Sequence, residues 1–136
     1  MPSEEAQSLA YGAEAEYWDG LLAGELRIQK CAGCGAWHWP AVFRCAGCGS
    51  WDHVWEAVEL TGAVYSWTRS WHPFGGLEDI SKPFLIAVVE LAGGGHARLM
   101  GIVDGTRDVQ IGQKVTGHIS TTRCAGQTVP SIRWSV

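Results

Sequence analysis

The sequence predicts a mainly β chain: one N-terminal helix, a four-cysteine metal ribbon, and a small closed barrel of five to six strands. Three observations carry this. The stretch "CAGCGAWHWPAVFRCAGCGS", residues 31–50, contains Cys-Ala-Gly-Cys-Gly twice. Residues 54–136 break into short runs rich in β-branched and aromatic residues, separated by glycine-rich turns, and helical spacing of apolar residues is confined to the segment before the first cysteine. The expected organisation is a helix and lead-in strand over 1–30, a ribbon over 31–53 and a barrel over 54–136.

Tyr11, Ala15, Trp18, Leu21 and Leu22 recur at helical spacing with glutamates between them, and Gly24 stands where a helix would end, so a helix is expected near 12–23. Such a stripe means packing, on this chain or on a partner. "ELRIQK" then sets Leu26 and Ile28 against Arg27 and Gln29, the alternation of a half-buried strand. Beyond the ribbon, "VWEAVEL", "GAVYSWTRSW", "PFLIAVVEL", "HARLMGIVD", "KVTGHIS" and "VPSIRWSV" read as strands, with "AGGG" a hairpin and "DGTRD" and "IGQ" further turns. That many short strands without a second helix favours a barrel over an open sheet.

Composition narrows the function classes. No stretch approaches the roughly 18 apolar residues of a membrane helix. The start, "MPSEEAQSLAYGAEAE", has acids where an export signal has bases, so a cytoplasmic location is expected, where thiols stay reduced. Six acids precede the first base, Arg27; from there on, ten bases face eight acids. This mild surplus suits a small phosphate-bearing ligand and falls far short of a nucleic-acid stripe.

Cys31-x2-Cys34 and Cys45-x2-Cys48 offer four thiolates in two knuckles, a tetrahedral set that suits zinc; iron fits the same four sulfurs. Gly35 and Gly49 follow the knuckles, where a glycine lets backbone N–H groups turn toward sulfur. Four protein ligands leave no open position, so the metal is expected to be structural. His38 and His53 are then surface or packing histidines, and Cys124 a loop or packing cysteine. A thioredoxin-like redox role would need a pair on a strand–helix junction, which this pattern lacks.

Alternation within "VYSWTRSWHPF" puts Tyr65, Trp67, Arg69 and Trp71 on one face. Such a row can clamp an adenine ring and its phosphates, or it can simply fill a barrel or a subunit interface. The loop from His72 to Lys82, with Phe74 inside it, is long for a small barrel and is a candidate lid or docking loop. Arg44, beside the second knuckle, can reach a phosphate or a partner carboxylate, or stand exposed without either role.

The helix with "YWDGLLAGELRIQKCAGCG", Pro40, Arg44 with the second knuckle, the barrel opening "TGAVYSWT" and the late "VDG" and "IGQKV" resemble the zinc-ribbon plus OB-fold family once catalogued as a domain of unknown function, whose members accompany thiolases and thiolase-like enzymes. The resemblance covers nearly the whole chain. It implies a rubredoxin-like zinc ribbon, an OB-fold barrel, and an accessory subunit whose catalytic groups lie on the partner, so that no residue here, His72 included, is assigned catalysis. It further implies a thiolase-fold partner, a lipid-transfer-protein-like aldolase or a thiolase, in an α2β2 assembly with a coenzyme A thioester held near the interface. The tryptophan load, with Trp37 and Trp39 in the ribbon and Trp67 and Trp71 in the first barrel strands, departs from many members and suits a bulky apolar substrate or a large protein interface. This favours a retro-aldolase acting on steroid-type acyl-CoA over a true β-ketoacyl-CoA thiolase. The contact residues expected on this basis are Arg44, Trp67, Arg69, Trp71, His72, Phe74 and Lys82. The reading from another class is an OB protein binding single-stranded nucleic acid. The pI of 5.7 and the small number of lysines, Lys30, Lys82 and Lys114, weigh against it.

Overall fold

A computed structural model describes residues 12–73, 76–77 and 80–136. Among the described residues the single α-helix, α1 (Ala15–Leu22), starts later than the spacing suggests. Its end is fixed by Gly24, which takes φ +88° so that its N–H reaches Leu21 O and the Glu25 N–H reaches Gly20 O, satisfying carbonyls the helix leaves open. Tyr17 and Leu21 point into the core and Trp18 packs against it, while Leu22 stays exposed. Arg27 lies across Gly20, where an added Cβ would come within 2.8 Å of it, and pairs with Glu16 at 3.2 Å and Glu25 at 2.6 Å.

β1 (Leu26–Cys31) is the middle of a three-stranded antiparallel sheet, between β2 (Trp37–His38) and β3 (His53–Val58). Two expectations change here. Val54–Val58, read as the opening of the barrel, pairs with β1 instead, so by strand pairing the barrel begins at Thr61. A central strand is also covered on both faces, and Gln29, read as the polar side of an alternation, is only 2% exposed.

The barrel follows in the order β4 (Thr61–Ser70), β5 (Phe84–Leu91), β6 (Arg98–Val103), β8 (Gln127–Ser135), β7 (Lys114–Cys124), closed by the β4–β7 pairing. All pairs are antiparallel except β6 with β8. This is the five-stranded Greek-key arrangement of an OB fold. Val64, Leu85, Ala87, Val89, Leu91, Leu99, Val115, Ile132 and the wholly buried Trp134 fill it. Gly62 allows closure, because a Cβ there would sit 2.2 Å from the Glu90 carbonyl oxygen.

The β5–β6 turn seats the barrel on the ribbon. Gly94 and Gly95 take φ +62° and +69°; a Cβ on Gly95 would meet Trp37 at 2.4 Å, and one on Gly94 would meet Val58 at 3.3 Å. The tryptophans serve largely this junction and the core. Trp18, Trp37, Trp39, Trp55 and Trp67 pack against the core, Trp134 is inside it, and Trp51 and Trp71 face outward. Gly76 and Leu77, between β4 and β5, meet the β7–β8 hairpin: Leu77 bridges Cys124, and the Ala125 N–H donates to Gly76 O at 2.9 Å.

Candidate metal centre

The two knuckles repeat in hydrogen bonds as they do in sequence. The Cys31 N–H donates to Ala36 O at 2.8 Å and the Cys45 N–H to Ser50 O at 2.9 Å, while Gly35 N–H reaches Cys31 O at 3.0 Å and Gly49 N–H reaches Cys45 O at 2.9 Å. Each glycine sits at φ close to +78°, a left-handed position an L side chain resists. The result is two equal hooks that bring the sulfurs of Cys31, Cys34, Cys45 and Cys48 within 4.8 Å of one another, with Cys31 and Cys45 buried and Cys34 and Cys48 at the surface. Cys31 Sγ lies 3.5 Å from Cys48 Sγ, and Cys34 Sγ lies 3.7 Å from Cys45 Sγ. Sulfurs in contact this way form a tetrahedral donor set of the size zinc fills.

Backbone dipoles tune the set. The Cys31 thiol is held down to about 6, first by the Cys34 N–H and then, against the cost of burial, by the Gly33 N–H. Cys45 is lowered, first by the N–H of Cys48 and next by that of Gly47. At Cys48 the Ser50 N–H lowers the thiol, but the Cys31 sulfur, burial and the other two sulfurs outweigh it and push it up to about 11.

Gln29 braces the loop between the knuckles. Its Nε2 donates to Val42 O and its Oε1 accepts from the Val42 N–H, both at 2.9 Å, so one side chain imitates a strand partner. His53 Nε2–H donates to Phe43 O at 2.7 Å on the same loop. Neither role shows in the sequence, where Gln29 reads as a polar strand residue and His53 as a packing histidine.

The other expected contact residues do not converge. Arg44 caps the second knuckle, its Nε donating to Gly49 O at 3.0 Å and its guanidinium lying 5.9 Å from the Trp51 ring. A β-bulge between Val64 and Ser66 shifts the alternation, so Tyr65 leaves the row it was expected to share with Trp67 and Arg69. Trp67, opposite Ala87, packs against the core; Tyr65 turns out to solvent under Arg98, 3.8 Å from its ring. Arg69 pairs with Asp108 and stands 6.0 Å from the Trp67 ring. Trp71, His72 and Lys82 are exposed, and Phe74 lies outside the described residues. None of five clefts of about 160 to 660 Å³ is lined by Arg44, Trp67, Arg69, Trp71, His72 or Lys82. No helix of the described residues is long and apolar enough to cross a membrane.

Comparison with known proteins matches two family descriptions in tandem: "ChsH2, rubredoxin-like zinc ribbon domain" over residues 18–54 and "ChsH2, C-terminal OB-fold domain" over 55–119. A solved chain described as "Ltp2-ChsH2(DUF35) aldolase" is similar at 27% identity with a TM-score of 0.77, covering 93% of this chain and 98% of that one. A DUF35-family protein of unknown function from Sulfolobus solfataricus shares the fold at 20% identity and a TM-score of 0.60, covering 91% and 84%. Among curated proteins no match was found.

Proposed function

The chain belongs to the ChsH2 family of zinc-ribbon and OB-fold proteins, and from that membership we propose that it is the accessory subunit of a thiolase-fold acyl-CoA aldolase. The observation that carries the proposal is the end-to-end similarity to a chain of the Ltp2-ChsH2 aldolase, 98% of which is covered. Because the two matched domain descriptions are themselves those of ChsH2, the similarity is to the ChsH2 component of that aldolase.

Physical features support the same reading. The metal set is closed by four protein sulfurs, which suits zinc as a brace that makes the ribbon fold and leaves it no position for substrate. Phe43, Trp51, Trp71, Met100 and Ile111 are each 65% exposed or more, a large apolar outlay for a chain that works alone and a reasonable one for a chain that docks. The partner supplies the catalytic groups, the substrate is a bulky, steroid-type acyl-CoA, and the complex is a cytoplasmic α2β2 assembly. With most tryptophans committed to packing, the choice of the aldolase rests on the relative and not on the aromatic load.

The test is co-expression with a thiolase-like aldolase chain from the same source, followed by size exclusion and by retro-aldol and thiolysis assays of the complex and of each component. The expected result is co-elution, with retro-aldol cleavage only when both chains are present. A chain that ignores that partner and elutes as an isolated monomer overturns the proposal, and thiolysis without aldol cleavage replaces the aldolase by a β-ketoacyl-CoA thiolase.

A further inference from the structure

Arg27, Arg69 and Arg98 each pair with a carboxylate. Arg133, half-buried on β8 opposite His118 of β7, is held differently. Its Nη2 donates to Thr122 Oγ1 at 3.1 Å, and its Nε is buried with no hydrogen-bond partner. Thr122 is itself 7% exposed, and its Oγ1 lies 2.8 Å from Ser131 Oγ. Thr122 Oγ1 accepts from the arginine and is hydrogen-bonded to the Ser131 hydroxyl, and this pair of hydroxyls fixes the guanidinium without neutralising it. A guanidinium kept partly out of water and positioned by neutral groups retains its whole charge, a state that favours an incoming anion.

The same arginine lines a cleft of about 160 Å³, several times the roughly 30 Å³ a water takes in the liquid, bordered by Ser81, Thr106 and the backbone of Gly105 over an apolar floor that includes Phe84 and Ile102. Gly105 has φ +85° and open space where a Cβ would stand. Among the described residues that line it, the one carboxylate is Asp104, which already accepts from Ser135 Oγ at 2.9 Å and faces His118 Nδ1 at 3.7 Å.

We propose that this cleft is a phosphate-group site, with Arg133 as the charged fork and Ser81 and Thr106 as neutral donors. Guanidinium suits this ligand because its planar N–H pairs match two phosphate oxygens at once. The site is built from this chain's own residues and stands whether or not the chain has a thiolase-fold partner.

The test uses the full-length, zinc-loaded chain. Binding of inorganic phosphate, with chloride at equal ionic strength as control, is followed by calorimetry and thermal unfolding for the wild type, Arg133→Gln, Thr106→Val and Ser81→Ala. Saturable phosphate binding is expected, at least about tenfold weaker in Arg133→Gln and a few-fold weaker in the rim variants. Should Arg133→Gln fail to fold, the two rim variants, at exposed positions, still read the site. Adenosine 3′,5′-bisphosphate distinguishes the sources: tighter binding than inorganic phosphate assigns the site to a phosphate ester, equal binding to the free ion. Binding that chloride reproduces, or that none of the three substitutions weakens, overturns the proposal.

Discussion

Replacing Gln29 by leucine is expected to weaken both the ribbon and its hold on metal, although the residue touches no sulfur. Leucine has nearly the volume of glutamine and neither of its hydrogen-bonding groups, so the substitution isolates the two 2.9 Å bonds to Val42. Losing them leaves one N–H and one C=O without protein partners, each costing about 1–3 kcal/mol when buried. Val42 is half-buried, so water recovers part of this, and a net loss of about 2–3 kcal/mol remains. Val42 lies on the segment joining the hooks, so if ribbon folding and metal binding are one equilibrium, the same energy appears as zinc affinity weaker by about 30- to 150-fold. Competition with a chromophoric chelator measures the affinity, and denaturant unfolding of the loaded chain measures the stability. Gln29→Glu, which keeps the acceptor for the Val42 N–H but buries a charge, should be no better than leucine. A leucine variant within 0.5 kcal/mol of wild type, with unchanged zinc affinity, would falsify the brace.

Cys45→Ser removes a buried ligand and should yield metal-free, insoluble or partner-incompetent chain; a soluble, metal-free variant that still supports full activity would show the metal to be dispensable. Gly62→Ala drives a methyl into the Glu90 carbonyl, and about 3 kcal/mol or more of barrel stability should disappear in a thermal melt; an unchanged melting temperature would mean that β4 and β5 separate freely there. Trp71→Ala, at a site 69% exposed, should leave the melt within about 0.5 kcal/mol while loosening the complex with the partner, read by size exclusion. If the complex holds equally well, that face does not dock.

The knuckles were fully legible, because a thiolate set needs particular residues at particular intervals and both glycines are demanded by the turn. The strands of the barrel were legible as strands, and their pairing less so. Val54–Val58 has the composition of a barrel strand, and only the three-dimensional register with Leu26–Cys31 shows that it completes the ribbon. The row of Tyr65, Trp67, Arg69 and Trp71 failed for a related reason: period-two counting assumes an unbroken pleat, and one extra residue at Tyr65 reverses it. Gln29 and Arg133 were invisible because their meaning lies in partners distant in sequence, Val42 and Thr122. The places of the tryptophans were not legible from composition, since a count cannot separate an indole that greets a ligand from one that joins two layers.

The β5–β6 turn rests its glycines on Trp37 and Val58, so the barrel sits on a foundation that exists only once the ribbon has closed. If the ribbon closes only around its metal, metal supply acts as an inspection step in the life of the chain. A copy made without zinc would then carry not a small local defect but a barrel with nothing under one of its hairpins. In a zinc-poor cell the number of assembled complexes would follow metal delivery more closely than synthesis.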